Sequence, residues 1–136
     1  MDDNFKKLRA YLIDLAVKGH SDNYETIVNY SNVDFCLSND NSKLIKYLTE
    51  ILEFEYSNGR PLITVFATAK GTNLPKEYFF DLVKKNNIYP KYVDNSTIIK
   101  IERENSFKYW RDYENLKNYK NITENQSISF KSSFKK

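Results

Sequence analysis

Apolar residues recur every three or four positions near the start of the chain: Phe5, Leu8, Leu12, Leu15 and Ala16 share one face of a helix predicted over residues 3 to 18. Asp2, Asp3 and Asn4 supply N-cap oxygens for it, and Gly19 stands where a left-handed stop is wanted. Ser21 to Asn23 cap a short second helix with Tyr24, Ile27 and Val28 on one side, closed by Ser31 and Asn32. In "VDFCLSNDN" the alternation of Val33, Phe35 and Leu37 reads as extended chain. The strongest period runs from Lys43 to Tyr56, where Leu44, Leu48, Ile51 and Leu52 form a stripe that Asp40 to Ser42 cap and "SNG" stops.

The run "PLITVFATA" is rich in β-branched residues, follows a proline and is apolar on both faces, so it predicts a buried central strand over residues 62 to 69. Pro75 then takes the first position of a helix whose inward face is Tyr78, Phe79, Leu82 and Val83. "STIIKIE" reads as a second strand, and Ser106 caps a final helix to about Tyr119 that turns Trp110, Tyr113 and Leu116 inward. Residues 120 to 136 form a basic polar tail with isolated Ile122, Ile128, Phe130 and Phe134. The expected architecture is an α+β domain over residues 1 to 119, with about five helices, a small sheet of two or three strands and a winged-helix-like element order in its N-terminal half.

Composition narrows the class. With 40% hydrophobic and 15% aromatic residues in 136, the chain can build a core without staples. No apolar run approaches the length of a membrane helix, and "MDDNFKKLRAYLIDLAV" is unlike a signal peptide; together with the lone Cys36 this places the expected location in a reducing cytoplasm, with no membrane partner. The bias towards Asn, Lys, Tyr and Ile is that of AT-rich codons and hints at a bacterium or its phage. Of the net charge of +3, all lies in the tail, where Lys120, Lys131, Lys135 and Lys136 face Glu124; residues 1 to 119 hold 17 basic and 17 acidic groups. A neutral body is a poor phosphate stripe.

Reactive residues are sparse. His20 and Cys36 stand alone, without a metal-ligand spacing, and Cys36 reads as a small buried hydrophobe. Glu50 and Glu53 share a helix face, as a solvated acidic face does, and Glu55 adds to the negative charge of that half of the helix. Three glycines and no Gly-rich phosphate loop complete the inventory, so neither catalytic residues nor a cofactor nor a metal is expected.

The stretch "GRPLITVFATAKGTNLPKEYFF" carries a resemblance. Gly59, Arg60, Pro61, Leu62 and Ile63, then Pro75, then Phe79 with Phe80 are similar to a pattern in small uncharacterised bacterial and phage proteins: a "GRPLL" segment after a helix, a hydrophobic strand, a proline turn and an aromatic pair. The resemblance implies a shared compact fold and no particular activity; Lys76 and Glu77 stand here where that family favours glycine after the proline. Arg60 follows a helix end, where it can bind the last carbonyls or Glu55, or offer its fork to a phosphate or carboxylate.

Binding is the remaining class. Eleven tyrosines and nine phenylalanines exceed the needs of a core this size, and Tyr109, Trp110, Tyr113 and Tyr119 make the sharpest cluster for a protein interface, although they equally suit a helix that closes the core. The expected function is a non-enzymatic module that binds a larger host protein or complex, as an inhibitor or adaptor of phage or mobile-element origin and a candidate anti-defence factor. The alternative is nucleic-acid binding by helix 43 to 56, through Asn41, Lys43 and Lys46 at its start, with Arg60, Lys70, Lys131, Lys135 and Lys136 in support. Neither reading specifies an oligomeric state.

Overall fold

The computed structural model describes residues 2 to 124, with side chains to Tyr119. Six α-helices and one two-stranded parallel sheet make it broadly α+β and mostly helical. The first helix, α1 (Asp3–Lys18), begins where Asp2 accepts from Phe5 N at 2.8 Å and ends at Gly19, whose φ of 71° lets its N–H and that of His20 bond back to Ala16 and Leu15. A side chain at Gly19 would also meet the Phe107 ring, 3.3 Å from the position of its Cβ. Helix α2 (Tyr24–Tyr30) starts where Asn23 accepts from Thr26 N at 2.9 Å.

Residues 31 to 41 connect α2 to α3 without a strand. Val33, Phe35 and Leu37 do turn inward and are half-buried, Phe35 stacking on Tyr47 at 5.7 Å, but no neighbouring chain offers them a ladder. Asn4 ties the segment down instead, its side chain bonding Asp34 at 2.6 Å and accepting from Asp34 N at 3.1 Å. The same alternation sends Cys36 outward, so it is exposed and not the buried hydrophobe expected.

Helix α3 (Ser42–Ser57) follows the expected stripe and buries Leu44, Tyr47, Leu48, Ile51, Leu52 and Glu55. Residues 62 to 68 are buried as expected, with Ala69 half-buried, but they are not a central strand. Ile63–Phe66 is a 3-10 helix and only Ala67–Thr68 (β2) is extended, pairing in parallel with Asp22–Asn23 (β1) in the register Asp22 to Ala67. The segment lies among α1, α3 and α5, where helices offer no free backbone partners, so it satisfies its own groups through short-range bonds such as Val65 N to Leu62 O at 3.1 Å.

Helix α4 (Glu77–Lys85) begins later than expected: Lys76 is its N-cap, and Pro75 is a buried residue ahead of it. The expected strand "STIIKIE" is the first half of α5 (Asn95–Arg111). Asp94 accepts from Thr97 N at 2.8 Å, and Ile98, Ile99, Glu102, Ser106 and Trp110 all face inward at helical spacing. Ser106 is therefore buried in mid-helix, and the break before α6 (Tyr113–Glu124) is made by Asp112, which accepts from Glu114 N and Asn115 N. Helix α6 runs through Lys120, past the expected start of the tail.

One core joins α1, α2, α3, the 3-10 helix, α4 and α5. A winged helix needs an antiparallel hairpin and a turn of three or four residues between its helices; the described residues hold only the parallel pair, and α2 and α3 are joined by residues 31 to 41. The winged-helix-like order expected for the N-terminal half therefore finds no support among the described residues. No described helix is long and apolar enough to cross a membrane.

Candidate binding cleft

Three charged side chains lie in the apolar interior. Glu55, on the inward face of α3, is fully buried and receives Arg9 Nε from α1 at 2.5 Å and Arg60 Nε at 2.6 Å. The backbone reinforces the link, with Arg60 N donating to Glu55 O at 2.9 Å after Gly59 turns the chain at φ 70°. Aromatic rings flank the guanidiniums: Phe54 lies 5.1 Å from Arg9 and 4.9 Å from Arg60, with Tyr119 and Trp110 at 5.1 and 5.6 Å from Arg9. Burial lowers the Arg60 pKa against the pull of Glu55, and Arg9 lowers it further, yet a guanidinium remains charged at neutral pH.

A second carboxylate grips the same segment from the other side. Glu102 of α5, 6% exposed, accepts from Leu62 N at 2.8 Å and from the Tyr89 hydroxyl. Burial, and then the bond to Glu102, pushes the Tyr89 hydroxyl well above its ordinary value. Residues 60 to 62 are thus clamped between α3 and α5.

Over this clamp opens a cleft of about 630 Å³, walled by Tyr56, Pro61, Ile88 and Tyr109 and by the polar Glu102, Asn105, Lys108, Asp112 and Asn115. Tyr109 is half-buried, and desolvation raises its hydroxyl to about 12 despite the nearby Arg60. The floor is tied by buried hydrogen bonds and ion pairs, and the rim mixes aromatic with polar groups.

The expected aromatic cluster divides. Trp110 is fully buried, with Tyr109 and Tyr119 edge-on at 4.9 and 5.8 Å, so these three close the core, whereas Tyr113 is 72% exposed. The expected nucleic-acid residues do not converge. Asn41 is buried at the α3 N-terminus, its carboxamide placed to accept from Lys76 Nζ at 2.5 Å. Lys43 lies over Phe35 at 5.3 Å, Lys46 is 3.9 Å from Glu50, and Lys70 is 3.8 Å from Glu25. Arg60 is buried beyond the opposite end of α3, roughly 24 Å along a helix of this length. Lys131, Lys135 and Lys136 lie outside the described residues. His20 and Cys36 are both exposed, and no group of three His, Cys, Asp or Glu among the described residues is placed to hold a metal.

The expected pairing of Arg60 with Glu55 and, through its backbone N–H, with a last helix carbonyl is present, but sequence reasoning missed that Glu55 is buried and that Arg9 and Glu102 join the site. Each carried a signal: Arg9 follows Phe5 by four residues, Glu55 follows Ile51 by four, and Glu102 follows Ile98 by four, so all three sit on apolar helix faces. Compared with protein-family models, with curated proteins and with solved structures, the chain matches none. The functional reading therefore rests on the residues above.

Proposed function

We propose that the chain is a non-enzymatic binding module that recognises another, larger protein through the cleft between the end of α3 and the α5–α6 junction. The observation that carries this reading is the lining itself. Tyr56 and Tyr109 stand beside Lys108, Asp112 and two asparagines over a floor fixed by two buried carboxylates. Tyrosine buries area at small entropic cost and keeps a hydroxyl, and a polar rim over a hydrogen-bonded base suits a side chain projecting from a partner. The cleft is open, which favours a macromolecular surface over a small enclosed substrate.

Capture of a partner from bacterial lysate, with the bound protein identified, tests this. Retention at high salt that is lost on Tyr56→Ala and on Lys108→Glu, and kept on Lys43→Glu, is the expected outcome. Retention on DNA that falls steeply with salt and is lost on Lys43→Glu with Lys46→Glu would replace it with the nucleic-acid reading. That alternative draws on the lysines near the start of α3, which are exposed and whose described contacts are with Glu50 and with the rings of Phe35 and Tyr47.

A further inference from the structure

Residues 86 to 94 connect the end of α4 to the start of α5, and residues of all three line one cavity. Asn87, at φ 51°, lets its own N–H and that of Ile88 bond to Lys84 O and Val83 O; Val93 N bonds Pro90 O at 3.1 Å. The loop is therefore built, and it walls one side of a partly open cavity of about 520 Å³, less open than the cleft, with Lys84 and Lys91 exposed at its mouth. Its walls are Phe80, Val83, Tyr89, Pro90, Val93 and Ile98, and its polar lining is Lys84, Lys91 and two asparagines. The Tyr89 hydroxyl is committed to Glu102.

No Asp or Glu lines this cavity, and neither Lys84 nor Lys91 forms an ion pair among the described residues. Asp81 and Asp94, the nearest acids along the chain, lie outside the lining. We infer that the cavity binds a small amphipathic anion, an apolar chain or ring carrying a carboxylate. The apolar body lies against Phe80, Val83, Val93 and Ile98, and the head sits between Lys84 and Lys91. The volume falls within the roughly 300–1,000 Å³ of small-molecule sites. Burial of the apolar body supplies affinity, and two cations without a resident carboxylate select an anion over a neutral or cationic analogue. The inference is independent of the partner cleft, and Tyr56→Ala leaves it untouched.

Calorimetric titration of decanoate into the full chain tests it, with decanol as the uncharged comparison. Saturable one-to-one binding is expected. Lys84→Glu with Lys91→Glu should weaken decanoate at least about tenfold, which is about 1.4 kcal/mol, and leave decanol unchanged. Val93→Trp, which fills the cavity, should weaken both, while Lys100→Glu, exposed on α5 outside the lining, should alter neither. Absence of saturable decanoate binding, decanol bound as tightly as decanoate, or an equal loss in Lys100→Glu would overturn the inference. So would binding to phosphatidylglycerol vesicles without binding to free decanoate, because the lysines would then read a lipid surface and not a cavity ligand.

Discussion

Glu55 and Glu102 are both buried carboxylates holding the short segment from Arg60 to Leu62, one from α3 and one from α5, yet their surroundings are opposite. Glu55 lies between two guanidiniums and receives charge-assisted bonds from both. Glu102 has no cation in an ion pair with it among the described residues and is held by a backbone N–H and a tyrosine hydroxyl. The first is a cluster whose members need one another, since removing one partner leaves buried charge uncompensated. The second is a hydrogen-bond junction, and its removal leaves neutral donors without an acceptor.

The difference can be broken by substitution. The largest effect is expected for Glu55→Gln, which leaves Arg9 and Arg60 facing a neutral amide and should cost about 3–5 kcal/mol in urea unfolding. Glu102→Leu should cost less, about 1–3 kcal/mol, from the stranded Leu62 N–H and Tyr89 hydroxyl. If its cost exceeded that of Glu55→Gln, the distinction between the two carboxylates would fail. Tyr89→Phe should cost about 1 kcal/mol at neutral pH.

Tyr89→Phe also sharpens the comparison at high pH. The folded protein keeps the Tyr89 proton beyond the ordinary value of 10.0, where the unfolded chain releases it, so stability is complete below pH 10 and falls above it. Tyr109, raised to about 12, adds to the same decline between those values. Thermal unfolding followed upward from pH 9 should therefore fall less steeply in Tyr89→Phe than in the parent. The smallest effect is expected for Lys46→Ala, whose exposed pairing with Glu50 should contribute less than about 0.5 kcal/mol.

Local signals in the chain were sound where a cap and a stripe agreed. Asp2 with Gly19, Asn23 before Tyr24, and the Leu44 to Leu52 stripe marked α1, α2 and α3. They misled where a short apolar run had two solutions. Ile63 to Phe66 is buried on every side, Thr64 included, and would be so as a strand or as a 3-10 helix; only the helices around it decide. "STIIKIE" alternates over a few residues, but the Asp94 cap and the longer spacing from Ile98 to Trp110 overrule it. The clamp is less legible, because a charged residue in a sequence signals a solvated position far more often than a buried one. Glu55 counts in the sequence as charge on the second half of the helix and as a partner for Arg60, but its position four residues after Ile51 turns it inward, and the second cation that holds it there, Arg9, lies on another helix. The Glu102 bond to Leu62 spans 40 residues and leaves no trace in either local pattern.

The outward turn of Cys36 has a practical side. It is the chain's single thiol, it stands on the connection between α2 and α3, and it is open to solvent. A maleimide dye would therefore label every molecule at one known address without engineering, and covalent dimers formed in air would share one defined sulfur bridge that a reductant dissolves.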